Sequence, residues 1–167
     1  MKAVAIGLLA LCILAFGWAK STTLKRRAVL LESAEILCRR VGEELFYSAS
    51  PPPELLARLS QSSALRELTF LTKFQSVTPA EFHTVWRREI AAFSAENGLD
   101  KEASALLSDF GEGLGTTDLQ GQKAHCEAYA ARFSRQKDEA DVAYAEKGRL
   151  YVSLGGIGAA AVALILI

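Results

Sequence analysis

The stretch TDLQGQKAHCEAYAARFSRQKDEADVA, residues 117–143, decides the fold. Along it, residues that suit a helix seam recur at alternating three- and four-residue intervals: Leu119, Gln122, Cys126, Tyr129, Phe133, Gln136, Ala140 and Ala143. Thr117 is its predicted N-cap, with Gln120 as the capping-box partner. Because this seam is only partly apolar, the stretch favours the last helix of a bundle over a free coiled coil, which stays open as the alternative.

Helical periodicity recurs upstream, and no stretch alternates with the two-residue period of a strand. An apolar stripe runs from Leu30 to Leu45, and the prolines of 51–53 then break the helix. Short helices are predicted over Glu54–Leu59 and around Leu65–Phe74. The sequence therefore predicts an all-α fold, a multi-helix antiparallel bundle.

Local signals place the next two helix boundaries. The sequence Thr78-Pro79-Ala80-Glu81 predicts a helix start, with Thr78 as cap and Glu81 completing a capping box. Asn97-Gly98 predicts the end of that helix, and Asp100 the cap of the next. The buried side of the first of these helices is predicted to hold Phe82, Val85, Trp86, Ile90 and Phe93, and that of the second Leu106, Leu107, Phe110 and Leu114.

Two apolar segments flank this bundle. Ala3–Ala19 and Leu150–Ile167 carry no charged residue, and each has about the length of a membrane-spanning helix. We therefore predict three parts: a transmembrane helix over 3–19, a helical domain over 20–149 and a second transmembrane helix over 150–167. The alternative is a cleaved signal peptide followed by an exported, C-terminally anchored enzyme or binding domain. A mature N-terminus at Lys20, read by intact mass, would establish that alternative.

The basic residues beside the two segments predict their orientation. Only Lys2 precedes the first segment, and no charge follows the second. Basic residues crowd the inner flanks instead: Lys20, Lys25, Arg26, Arg27 and Arg39 after the first, and Arg132, Arg135, Lys137, Lys147 and Arg149 before the second. Because basic residues favour the cytoplasmic side, the central domain is predicted to be cytoplasmic, with both termini on the far side.

Composition excludes several functions. The chain has 19 Lys and Arg against 19 Asp and Glu, so no strong field of one sign attracts nucleic acid. Its three cysteines, Cys12, Cys38 and Cys126, do not form the even set of a disulfide framework. Cys38 and Cys126 lie on apolar stripes, which indicates small buried residues.

No pattern indicates an enzyme, a cofactor or a metal centre. His83 and His125 are too few for a histidine-based metal site, and the glycines of 111–115 lack the Gly-Lys-Ser/Thr ending of a phosphate loop. A helix junction explains those glycines better. Arg87-Arg88 is either an ordinary polar face or a dock for an acidic partner.

One stretch resembles a known family. The pattern Phe110-Gly111-x-x-Leu114-Gly115-x-x-Asp118-x-x-x-Gln122-x-x-His125 is similar to the characteristic segment of stage III sporulation protein AB, of endospore-forming bacteria. The resemblance continues through Lys147-x-x-x-Tyr151 to the apolar end. It also covers Glu44-x-x-Tyr47 and the proline turn, and is loosest over 60–100. Cys126, where the family would have an aliphatic residue, and the third proline, Pro52, depart from it.

The resemblance implies a function for the chain. Members of the family are membrane components of the channel complex that joins mother cell and forespore. Their cytoplasmic bundle is similar to domains of component F, the inner-membrane platform protein of type II secretion systems. The implied partners are an ATPase like stage III sporulation protein AA and other membrane subunits of the channel, with a homo-oligomer as a further possibility. The implied location is the mother-cell membrane around the forespore.

The seven motif residues have two interpretations. Either they build the junction between two helices, or they contact the ATPase or a neighbouring subunit. Helical spacing places Asp118, Gln122 and His125 on one face, which favours the structural interpretation.

Overall fold

The computed structural model of the chain describes residues 2–48, 50–148 and 153, and every regular element within them is a helix. The prediction of an all-α fold is therefore confirmed. The chain divides into two compact units, Val29–Lys137 and the combined ends Met1–Ala28 with Asp138–Ile167. The first, here called the bundle unit, holds the aromatic core and the candidate site.

Helix α1 (Lys2–Ser48) contributes its predicted stripe to the bundle unit. The buried side chains are Leu30, Leu31, Ala34, Leu37, Cys38, Val41 and Leu45. A proline turn follows, and α2 (Pro52–Leu59) begins with the prolines at its first positions, where a missing N–H costs nothing. Arg58 of α2 reaches back to α1, donating to Glu44 Oε2 at 3.2 Å and to Ser48 Oγ at 3.0 Å.

The short helix predicted around Leu65–Phe74 is present, but as 3₁₀ helix. This region forms two 3₁₀ segments, Ser63–Leu65 and Thr69–Ser76. Its most buried side chains recur every three residues: Leu65, Leu68, Leu71 and Phe74. Because a 3₁₀ helix has three residues per turn, this spacing keeps one line of side chains in the core, which an α-helix with 3.6 residues per turn would not do.

Helix α3 (Phe82–Asn97) begins three residues later than the predicted start at Pro79. Thr78 and Glu81 do interact, but in the turn ahead of the helix. The Glu81 carboxylate accepts from Thr78 Oγ1 at 2.6 Å and from Thr78 N at 3.4 Å, and these two hydrogen bonds lower the pKa of Glu81. The end at Asn97-Gly98 is confirmed, since Gly98 has a φ of 64° and closes the helix.

Helix α4 (Lys101–Glu112) begins as predicted, because Asp100 Oδ1 accepts from the backbone N–H of Ala103 at 2.8 Å. Its buried side holds Leu107 and Phe110, whereas Leu106 is only half-buried. Leu114, just beyond the helix, is buried as predicted.

Helix α5 (Leu119–Ala143) starts on a different cap from the predicted Thr117 and Gln120. Asp118 takes that role: its backbone oxygen accepts from Gln122 N and its Oδ1 from Gly121 N, each at 2.8 Å. The carboxylate satisfies the Gly121 N–H, which has no partner within the helix, and its negative charge is favourable at the positive end of the helix dipole. The predicted seam is buried at Gln122, Cys126, Phe133, Gln136 and Ala140, while Leu119 is exposed. A π-helical turn, Tyr144–Gly148, follows α5.

Within the part of the chain that the structure describes, no helix combines the length and apolarity needed to cross a membrane. The second predicted span, Leu150–Ile167, lies outside the described residues apart from Ser153. The two spans therefore stay predictions.

Candidate functional site

The seven motif residues cover the end of α4, the loop after it and the first two turns of α5. They are Phe110, Gly111, Leu114, Gly115, Asp118, Gln122 and His125. All lie in the bundle unit, and hydrogen bonds and ring contacts connect most of them to one another or to the core. We call this region the α4–α5 junction.

Trp86 of α3 is the aromatic centre against which the junction packs. Its side chain is fully buried, and its ring lies 5.5 Å from that of Phe70 and 6.2 Å from that of Phe110. The indole N–H donates to the backbone oxygens of Leu107 and Ser108, at 3.2 and 3.1 Å. A large buried ring with its polar atom satisfied thus joins α3 to α4.

Gly111 is glycine because the same indole leaves no room for a side chain. A Cβ placed on Gly111 would stand 2.0 Å from Trp86 Cε2 and 2.1 Å from Nε1. The backbone of α4 therefore lies directly against the indole ring, because Gly111 has no side chain of its own at this point.

The Gln122 side chain holds the loop after α4 in place. Its Oε1 accepts from Gly115 N at 3.0 Å, and its Nε2 donates to Gly113 O at 2.9 Å and to Thr117 Oγ1 at 3.0 Å. The side chain is buried, so these partners replace water for both ends of the amide. An amide is needed here because one end must accept and the other donate.

Gly115 turns the chain with a φ of 77°, a conformation that side-chain-bearing residues rarely adopt. The proline turn lies beside Gly115, as the distance to Pro52 shows: a Cβ placed on Gly115 would stand 3.4 Å from Pro52 Cγ. The two segments that carry the family resemblance, 44–53 and 110–125, therefore meet at one end of the bundle unit.

Replacing Gly115 with valine is expected to lower the free energy of unfolding by about 1–2 kcal/mol or more, because a β-branched residue is strained at positive φ. Asparagine is the matched control, since it tolerates this conformation and should cost less. Thermal unfolding of the full chain measures both. Equal melting temperatures for the wild type and the valine variant would contradict the assignment.

His125 reaches back from α5 to the end of α4. Its Nε2 lies 2.8 Å from Phe110 O, and its ring stacks on the Phe110 ring at a centroid distance of 5.6 Å and 10° between planes. Tyr129, one turn further along α5, packs at 4.5 Å against the imidazole. The imidazole thus packs between the Phe110 and Tyr129 rings and makes one hydrogen bond, to the Phe110 backbone oxygen.

Little of the junction is left for a partner. Gly115 and Asp118 are exposed and His125 is half-buried, whereas Phe110, Gly111, Leu114 and Gln122 are buried. Asp118 in turn uses one carboxylate oxygen to cap α5. This arrangement favours the structural interpretation of the motif over a contact site.

The two neighbouring arginines of α3, Arg87 and Arg88, form ion pairs within the bundle unit. Arg87 Nε lies 2.9 Å from Glu112 Oε1 of α4, and Arg88 pairs with its neighbour Glu89 at 2.9 Å. Both arginine side chains are largely exposed, so these pairs contribute little to stability. Among the described residues, no group of three His, Cys, Asp or Glu side chains has the arrangement to hold a metal ion.

Cys38 of α1 and Cys126 of α5 are buried, as the sequence predicts. Burial raises the pKa of the Cys38 thiol, and it raises the pKa of the Cys126 thiol to about 12. Because the thiolate is the reactive form, both side chains are poor nucleophiles at neutral pH.

Both thiols are expected to resist alkylation at pH 8 in the folded chain and to react once urea unfolds it, because unfolding removes the burial that protects them. Peptide mass spectrometry after a short iodoacetamide pulse measures the label at each position. Labelling of Cys126 in the folded chain as fast as in the unfolded chain would contradict its burial.

Sequence reasoning missed three residues of this site. It assigned Trp86 only to an apolar stripe, it treated Pro52 as part of a loop, and it gave Tyr129 no role beyond the seam. No signal in the sequence pointed to the contact of Trp86 with Gly111, because the two residues are far apart along the chain. No local pattern revealed the other two contacts, because they join segments distant in sequence.

The family model for stage III sporulation protein AB matches residues 2–167. No curated protein and no solved structure matches the chain. With its glycine motif at the helix junction and a match over nearly its whole length, the chain belongs to the stage III sporulation protein AB family.

Proposed function

We propose that the chain is a non-enzymatic membrane scaffold, a subunit that links a cytoplasmic ATPase to the membrane assembly of a sporulation channel. The observation that carries this proposal is the family match over residues 2–167, which supports a role in stage III sporulation.

The chemistry of the bundle unit supports a scaffold. The polar side chains of the α4–α5 junction are engaged in holding helices together, as with Gln122 in the loop and His125 on the Phe110 oxygen. The buried thiols are protonated at neutral pH. A helical domain whose polar side chains serve packing suits a scaffold better than a catalyst.

The proposed setting is the mother-cell membrane around the forespore, with spans at 3–19 and 150–167 and the central domain in the cytoplasm. The proposed partners are an ATPase like stage III sporulation protein AA and other membrane subunits of the channel. In this arrangement the ATPase moves the bundle, and the two apolar segments deliver that movement to the bilayer.

Deletion of the gene tests whether the protein is required for spore formation. The strain is expected to lose heat-resistant spores, because the channel lacks one of its subunits, and expression of the wild-type chain is expected to restore them. Heat-treated colony counts after sporulation measure the effect. Heat-resistant spores at the wild-type frequency, in a strain without a second copy of the gene, would refute the proposal.

A further inference from the structure

Two buried glutamines lie on the seam of α5, and they differ in their hydrogen bonds. Gln122 is 4% and Gln136 5% exposed. Both ends of the Gln122 amide are bonded, to Gly115 N, Gly113 O and Thr117 Oγ1. Within the described part of the chain, no group donates a hydrogen bond to Gln136 Oε1. An amide thus fixes the seam near its start, and an unsatisfied amide oxygen lies in it fourteen residues later.

An unsatisfied oxygen at this position favours opening of the seam. A buried acceptor without a donor has lost its hydrogen bonds to water and gained none in exchange, so it lowers the stability of the closed arrangement. When the surrounding side chains separate, water reaches the oxygen and the lost bonds are restored. Opening at Gln136 therefore needs less free energy than opening at Gln122, which would break three hydrogen bonds.

Ser33 of α1 lies at about the same level of the helix pair as Gln136. The two helices approach closely at Gly42, where a Cβ would stand 3.1 Å from Cys126 Cβ. They run antiparallel, since the proline turn after α1 lies beside Gly115, just ahead of α5. Ser33 is nine residues before Gly42 on α1. Gln136 is ten residues after Cys126 on α5, and both helices rise equally per residue.

The Ser33 hydroxyl does not supply the missing donor. The side chain is buried, and its single hydroxyl proton is used within its own helix, because Oγ donates to Val29 O at 2.9 Å. A bond of this kind, from a serine to the carbonyl one turn earlier, slightly destabilises a helix. The hydroxyl is therefore not available to the Gln136 oxygen, although both side chains are buried at this level.

Apolar packing is sparse on the same part of α5. Phe133, three residues before Gln136, is a large buried side chain. Beyond it, Ala140 is the one buried apolar side chain among the described residues of α5. Segments with few buried apolar contacts open locally at a lower free energy than the core of a domain. Sparse packing and the unsatisfied oxygen thus coincide.

We propose that the packing of α5 on α1 at Gln136 is a built-in opening point of the bundle unit. Gln122 keeps the start of α5 attached to the α4–α5 junction, while the seam at Gln136 opens transiently and closes again. The aromatic core around Trp86 stays folded during this opening. The opening itself is independent of any partner, and only its use in sporulation rests on the coupling function proposed above.

The first test removes the unsatisfied oxygen. Gln136→Leu is expected to raise the melting temperature of the full chain in mild detergent by about 2–4 °C, because a leucine of similar size has no hydrogen bond to lose. Gln122→Leu is the matched control, and it should lower the melting temperature, since Gly113 O and Gly115 N lose their partner. Circular dichroism measures both. An unchanged or lower melting temperature for Gln136→Leu would overturn the proposal.

Hydrogen exchange followed by mass spectrometry locates the opening. In the wild type, the backbone amides of residues 133–140 are expected to exchange faster than those of residues 122–130. Gln136→Leu should slow exchange in the first group by about fivefold or more and leave the second group unchanged. Equal exchange of the two groups in the wild type, or no slowing in the variant, would contradict an opening point at Gln136.

Spore counts test whether the opening is used. A deletion strain that expresses Gln136→Leu is expected to lose heat-resistant spores relative to one that expresses the wild-type chain, although the variant is the more stable protein. Glu139→Leu, at an exposed position of the same helix, is the control and should restore the spores. Full restoration by Gln136→Leu would overturn the use of the opening. Wild-type spore counts from the deletion strain itself would instead refute the proposed function.

Discussion

Trp86→Ala is expected to lower the free energy of unfolding of the bundle unit by about 3–5 kcal/mol. The indole is fully buried among Phe70, Phe74, Phe82 and Phe110, with ring distances of 5.5 to 6.2 Å. Truncation leaves a cavity in that cluster and removes the donor for two backbone oxygens of α4. Urea unfolding of the full chain, followed by circular dichroism, measures the loss.

Val142→Ala is the matched control, because it also truncates an apolar side chain, but one that is 56% exposed. Its effect is expected to stay within about 0.5 kcal/mol. If the Trp86 variant unfolded at the same urea concentration as this control, Trp86 would not be the centre of the core.

Gly111→Ala is expected to destabilise the chain by about 1–3 kcal/mol, the usual cost of inserting extra atoms into a packed core. The direction is informative, because glycine to alanine inside a helix otherwise stabilises by about 0.5–1 kcal/mol. The contact responsible is the indole of Trp86, which a Cβ would meet at 2.0 Å. Urea unfolding gives the sign of the change.

A double-mutant cycle isolates that contact. Trp86→Ala removes the whole indole, so Gly111→Ala should cost less in the Trp86→Ala background than in the wild type. Ala105→Gly, at an exposed position of the same helix, gives the cost of glycine in α4 without the contact. A stabilising Gly111→Ala, or the same cost in both backgrounds, would show that the glycine is not required by Trp86.

Periodicity and end signals in the sequence predicted most of the helices. The stripe of α1, the Gly98 stop and the Asp100 cap depend on neighbouring residues only, so local rules were sufficient. The α5 cap was assigned one residue early, because Thr117 and Asp118 are both good caps and only the fold selects between them. The sequence analysis predicted a short helix around Leu65–Phe74 without its type. The three-residue spacing of the buried Leu65, Leu68, Leu71 and Phe74 is the signal for 3₁₀ geometry.

The sequence identified the residues of the candidate site but not the contacts that they make with one another. Spacing on α5 indicated that Asp118, Gln122 and His125 share a face, whereas the structure gives them separate tasks in the cap, the loop and the Phe110 stack. Those tasks depend on the position of α4 relative to α5. Likewise, the contact between Gly111 and Trp86 joins residues 25 positions apart, and no local pattern encodes it.

The central claim is that this family member couples an ATPase to the sporulation channel. The most direct measurement is affinity purification of the full-length tagged chain from sporulating cells, followed by mass spectrometry. An unrelated membrane protein with the same tag serves as control. The proposal predicts enrichment of a secretion-type ATPase together with other channel subunits. Recovery of the membrane subunits without any ATPase, under conditions that keep the complex intact, would contradict the coupling role.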